Sequence, residues 1–320
     1  MLHVFTEAGG KDMSSPQPEA VQPPKESNSR TIIFMATLSL ICALILSVLA
    51  SVLAEPKEVA KELDRSKQML MAAKVLDYGG YFLIQNEKGE YVPAKYLKDG
   101  ILIPSDTKEI ASNAHILDVY KTRLVPSLTD DKGDVYTFQK AGIDLDQYLT
   151  DFKKTGYYKQ PYKLFYQIMP NPASDGKSDH TPIGYVIPVN GYGLWDAIYG
   201  YLAIKPDGNS VIGISWYDQK ETPGLGANIS EEPWQSQFPE KKIFTESPGG
   251  TTDFKTALLG IVVVKGKVNE VLGDGPKAKS AVDGMAGATL TGNGVTDAYR
   301  TVLDAYRPFL IKINAEQKKS

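Results

Sequence analysis

The chemistry-bearing residues of this 320-residue chain cluster in three glycine-rich segments. The first runs Asp283-Gly284-Met285-Ala286-Gly287-Ala288-Thr289-Leu290-Thr291-Gly292-Asn293-Gly294-Val295. Gly and Ala carry little side chain, so backbone there can approach a bulky group closely. The segment leads into the strongest amphipathic pattern of the chain. It therefore offers free N–H groups and the positive end of a helix, which together favour phosphate. Thr289 and Thr291 are the hydroxyls available for a phosphoester. The competing reading is a plain helix cap, with Thr291 or Asn293 closing the first turn. The second segment is Gly191-Tyr192-Gly193-Leu194-Trp195-Asp196-Ala197-Ile198-Tyr199. Its glycines followed by aromatics suit a flat aromatic ligand, or a turn entering a core helix. The third, Glu221-Thr222-Pro223-Gly224-Leu225-Gly226, reads alone as a rigid turn after a strand.

Other chemistries are missing. There is no G-x-S-x-G elbow, no P-loop and no H-E-x-x-H. His3, His115 and His180 stand in unrelated contexts and read as tail, surface or structural residues. A single cysteine, Cys42, excludes a disulfide framework, and with it any iron–sulfur cluster or Cys-rich zinc site supplied by this chain alone. No metal site or catalytic residue is expected. A net charge of -3 gives no support to nucleic-acid binding. With 42% hydrophobic and 23% charged residues, the chain is globular rather than wholly disordered.

Four stretches must position these segments. Residues 1–30, rich in Pro, Ser, Glu and Gln, read as a disordered tail. From Thr31 to Ala54 no residue is charged, and the run TIIFMATLSLICALILSVLASVLA is long enough, at about 36 Å as a helix, to span a bilayer. A span without intramembrane charge is an anchor or a packing partner, not an ion path. Residues 55–76 carry apolar positions near helical spacing and read as a juxtamembrane helix. Residues 77–320 form the soluble part. Strand-like runs there include Tyr81–Leu83, Lys163–Ile168, Gly184–Val189, Tyr201–Ile204, Ser210–Tyr217 and Leu258–Val264. Leu194–Tyr199 and Val295–Tyr306 read as helices, the latter stopped by Pro308. Strands dominate, so the fold class is α+β with a largely antiparallel sheet behind a single N-terminal transmembrane helix. The polar stretch 126–160 stays unassigned.

Taken together and in order, these segments resemble the NqrC family, a component of the sodium-translocating NADH:quinone reductase (the Nqr complex). The resemblance is carried by LDRSKQMLMAAKVL at 63–76, YVIPVNGYGLWDAIYGYLAI at 185–204, ETPGLG at 221–226 and GATLT at 287–291. The turn and the GATLT loop also occur in the related RnfG proteins of the Rnf complex. The GLWDAIYGYLAI run and the helix at 63–76 favour the sodium pump. The resemblance implies an electron-carrying subunit of a translocating oxidoreductase, not catalytic alone. It implies FMN, held by a phosphoester to the Thr of a D-x-x-[ST]-G-A-T pattern and attached from FAD by a flavin transferase. The matching acceptor is Thr289 and the leading acid Asp283, with Ala286 standing where the pattern has Ser or Thr. Gly287, Ala288, Leu290 and Thr291 around the acceptor, Gly193, Leu194 and Trp195, and Glu221, Thr222 and Gly224 are the implied cofactor contacts.

The resemblance also implies the other subunits of the complex as partners, and a bacterial inner-membrane location with the soluble domain in the periplasm. The charge count leans the other way: Lys11, Lys25 and Arg30 precede the span, whereas Lys57, Lys61, Arg65, Lys67 and Lys74 follow it. That rule weakens for long translocated domains, so the family's orientation is preferred. The alternatives are an Rnf-type electron-transport protein of the RnfG kind, or an anchored binding or assembly module without flavin.

Overall fold

The computed structural model describes residues 28–86, 88–172, 181–250 and 252–319. His3 and His180 lie outside them. So does the expected tail except residues 28–30, which form the first turn of helix α1, Asn28–Val52. Its 24-residue stretch Ser29–Val52 is apolar and long enough to cross a membrane, and none of it is buried against protein. Helix α2, Ala54–Ala72, follows.

Val59–Ser320 forms one compact unit. Strands β1 (Phe82–Gln85), β2 (Tyr91–Lys98) and β3 (Ile101–Pro104) make a small antiparallel sheet. Helix α3 (Asn113–Arg123) is capped by Ser112, whose hydroxyl accepts from the backbone N–H of His115. The polar stretch without a clear pattern resolves into short pieces: β4 (Leu124–Thr129), β5 (Val135–Tyr136), α4 (Phe138–Ala141) and α5 (Leu145–Phe152). Thr137 and Asp144 cap the two helices. The first is too short to show a hydrophobic period and its cap is its readable signal, whereas in α5 Leu145, Tyr148, Leu149 and Phe152 follow the i, i+3, i+4, i+7 spacing of a buried face.

Strands β6 (Lys163–Ile168), β7 (Gly184–Tyr192), β8 (Ala197–Ile204) and β9 (Val211–Asp218) complete a six-stranded sheet, ordered β5-β4-β6-β7-β8-β9 and antiparallel throughout. The rest comprises α6 (Glu232–Gln235), β10 (Val262–Val263), α7 (Val268–Val271), β11 (Ala281–Val282) and α8 (Thr289–Gln317). β10 and β11 pair in parallel.

Alternate residues of the sheet feed two separate cores. Phe165, Ile187, Ile198, Leu202 and Trp216 face one side, where α8 lays down Val295, Tyr299, Val302, Tyr306 and Phe309. Leu164, Tyr166, Val186, Tyr201 and Ala203 face the other, where the end of α2, the small sheet and α3 pack. A sheet covered on both faces shows no clean apolar–polar alternation. This accounts for the first correction: Leu194–Tyr199 is no helix. Tyr192 pairs with Ala197, so residues 193–196 are the loop of the β7–β8 hairpin, and 197 onward is strand. The second correction concerns Pro308. It does not stop α8, which runs on to Gln317. Phe309, Leu310 and Ile313 beyond it are buried, and that burial outweighs the cost of about 3 kcal/mol for a helix-interior proline. Of the run Leu258–Val264 only Val262 and Val263 form strand.

Candidate functional site

Helix α8 begins at Thr289, with Ala288 in the capping position. Ala288 has no side-chain oxygen to offer, and no side chain caps the first turn. The plain-cap reading therefore fails: neither Thr291 nor Asn293 closes the turn. Gly287 stands just before it at φ 73°, a left-handed conformation that a Cβ would strain. Thr289 is exposed, and Thr291, two residues on, is 1% exposed. The hydroxyl of Thr291 donates to Glu221.

Glu221 joins all three segments singled out in the sequence. Besides Thr291, its carboxylate accepts the backbone N–H groups of Leu194 (3.1 Å) and Trp195 (3.0 Å). It is 5% exposed. Burial alone would raise its pKa, but the donors Thr291, Trp195 and Leu194 together hold it below the ordinary carboxylate value. A Cβ on Gly193 would run into the Glu221 carboxylate, and one on Gly226 would lie 2.5 Å from the Thr291 hydroxyl. The glycines of these loops are thus needed for close packing around this acid. An ion pair between Lys220 and Asp196 adds a second tie from the end of β9 to the hairpin loop.

Around this clamp lie exposed apolar groups. The Trp195 indole N–H donates to the Thr222 hydroxyl at 3.1 Å, fixing the ring's edge while the residue stays 68% exposed. Tyr192, Leu194, Leu225 and Leu290 are also exposed. Gly224, at φ 75°, shapes the turn below them. Asp283 is differently engaged. Its Oδ1 accepts from the Val268 N–H (2.8 Å), its own N–H donates to Gln237 (2.9 Å), and its carbonyl accepts from the Trp234 indole (3.0 Å). It braces the loop that leads to Thr289.

A cavity of about 570 Å³ opens beside that loop, walled by Met285, Ala286, Thr289 and Asn293 on one side and by Lys265 and Lys267 on another. That volume is in the usual range for a small-molecule site. The two lysines were not anticipated from the sequence. K-G-K after an apolar run reads as a turn, and only the pairing of β10 with β11 brings it to Thr289. His115 is exposed and stacks on Tyr96, with ring centroids 4.0 Å apart. Among the described residues no cluster of three His, Cys, Asp or Glu has metal-holding geometry.

An α+β unit with a glycine-rich loop feeding a long helix, carried behind an apolar N-terminal helix, defines the class, and residues 193–304 match the FMN-binding domain family. The chain is 43% identical over 291 residues to the NqrC protein of the Na(+)-translocating NADH-quinone reductase of Chlamydia pneumoniae, covering 88% of this chain and 91% of that protein. It is 41% identical to the same protein of Chlamydia caviae, covering 93% and 96%. The chain belongs to the NqrC family of the Na(+)-translocating NADH-quinone reductase. Its fold is also that of the crystal structure of Shewanella oneidensis NqrC, with a TM-score of 0.51 at 23% identity, covering 80% of this chain and 99% of that one.

Proposed function

We propose that this chain carries FMN as a phosphoester on Thr289 and relays electrons within the sodium-pumping NADH–quinone reductase. The observation that carries the reading is the inequality of two neighbouring hydroxyls: Thr289 is exposed at the uncapped start of α8, whereas Thr291 is committed to Glu221. The residues fit the group. Unpaired N–H groups at a helix start favour a phosphate. The cavity wall and the exposed aromatic and aliphatic side chains give a flat ring an apolar surface. When bound, FMN supplies the electron chemistry, and the protein supplies position and electrostatics.

The chain's own parts then have distinct tasks. Glu221 holds the Gly193–Trp195 loop against α8, and its carboxylate is committed to that task rather than to a ligand. Thr222 fixes the edge of Trp195, which presents its face. Asp283 braces the acceptor loop. Helix α1 anchors the protein in the bacterial inner membrane, with the remaining domain in the periplasm beside the other subunits of the complex. A flavin transferase loads Thr289 from FAD.

The test is the intact mass of the protein from its native membrane, with tryptic mapping of residues 280–300. An added FMN less one water on Thr289 is expected. A native, full-length chain without the adduct overturns the reading. Protease treatment of spheroplasts checks the orientation: digestion of the domain is expected, and its protection would place it in the cytoplasm.

A further inference from the structure

We propose that Lys265 and Lys267 form an anion seat for the phosphoryl group destined for Thr289. The inference rests on the assignment of Thr289 as acceptor and extends it to residues on a different segment. Three hydrogen bonds lash 264–268 to the acceptor loop. The Val264 N–H donates to the Val282 carbonyl (3.0 Å), the Gly284 N–H to the Gly266 carbonyl (2.8 Å), and the Val268 N–H to Asp283 Oδ1 (2.8 Å). A Cβ on Gly284 would collide with the Val264 carbonyl, so the two segments touch backbone to backbone. Gly266 turns at φ 95° and leaves the lysines on either side of it on the wall that Thr289 shares.

The charge on that wall is unbalanced. Neither lysine has an ion-pair partner among the described residues. Asp283 is the one acid on the wall, and its Oδ1 is already held by Val268. Glu270 approaches Gly266 from α7 without lining the cavity. Two free ammonium groups, added to the open helix start, favour an anion more strongly than the helix alone. The anion is the diphosphate of FAD. In the transfer, the Thr289 hydroxyl oxygen bonds to the flavin-side phosphorus, the P–O–P bridge breaks, AMP leaves with the bridging oxygen, and the hydroxyl proton passes to the transferase's base. The lysines neutralise charge on the diphosphate before the bond breaks and on the diester that remains.

The full-length chain in detergent, incubated with flavin transferase, magnesium and FAD, reports this directly as the initial rate of adduct formation by mass. Lys265→Ala with Lys267→Ala is expected to slow it by at least about tenfold and to flatten its dependence on salt. The corresponding double arginine variant is expected to keep most of the rate, and the thermal midpoint of the apo-protein to stay unchanged in both. A double alanine variant loaded at the wild-type rate overturns the seat while leaving Thr289 in place. A wild-type chain that takes no adduct overturns the acceptor assignment, and the seat with it.

Discussion

Glu221 accepts from two backbone N–H groups and one hydroxyl across 26 to 70 residues of sequence, so its charge state governs how three loops meet. Its pKa is depressed on folding. The stabilisation is therefore complete above the unfolded value of about 4.3 and is lost as pH falls through the lower, folded value. Glu221→Gln replaces an accepting oxygen with a donor. It is expected to cost about 1–3 kcal/mol at pH 7, a gap that narrows as the pH is lowered below about 4. Urea titrations at the two pH values check it; a gap that widens in acid would contradict the argument. Thr289 and Thr291 separate in the same way. Thr291→Val removes a donor to a buried carboxylate and is expected to cost about 1–2 kcal/mol while the adduct still forms. Thr289→Val is expected to leave stability within about 0.5 kcal/mol and abolish the adduct. Mass and unfolding curves on the same samples distinguish them. The sequence put Glu221 among the ligand contacts. Its role as a clamp was not legible, because the donors that occupy it come from segments whose proximity only the fold creates.

At the scale of elements, the crossing of α8 over β7 sets the site. A Cβ on Gly294 would meet the Tyr192 carbonyl, and one on Gly191 would lie 2.5 Å from the Ala298 Cβ. Gly294→Ala should gain about 1 kcal/mol in helix propensity. The backbone collision reverses that gain, and a net loss of about 1–3 kcal/mol is expected, read as a lower urea midpoint with an unchanged slope. A stabilised variant would show that helix and strand have room to part. The register of α8 was readable from Val295, Ala298, Tyr299, Val302 and Tyr306, all of which are buried. Its end was not, because a proline rule is local and the burial of Phe309 to Ile313 is not. The β7–β8 hairpin was obscured for a related reason: Ile198 and Tyr201 to Ile204 are buried on an interior strand, and a continuous apolar run there reads equally as helix or strand.

For the whole molecule, the informative boundary is the one in α2. The sequence suggested a soluble part from 77, but the compact unit begins at Val59. Met69, Leu70 and Ala72 have no exposed surface and belong to the core that also contains Phe82 and Val119. At about 1.5–3 kcal/mol for each large side chain, Met69 and Leu70 alone are a substantial share of a typical stability of about 5–15 kcal/mol. A chain starting at Val59 is expected to be soluble without detergent and to unfold cooperatively. One starting at 77 is expected to lose its sharp thermal transition. Circular dichroism melts of the two settle it, and equal midpoints would mean that α2 adds nothing to the core.

The contrast between Thr289 and Thr291 also sets an order of events in the life of the chain. In an unfolded polypeptide both hydroxyls are equally open to a modifying enzyme. They differ in exposure only when Glu221, 70 residues upstream, has closed on α8. On the proposed assignment, modification is expected to follow folding, when Thr291 has been withdrawn and Thr289 is the hydroxyl left exposed.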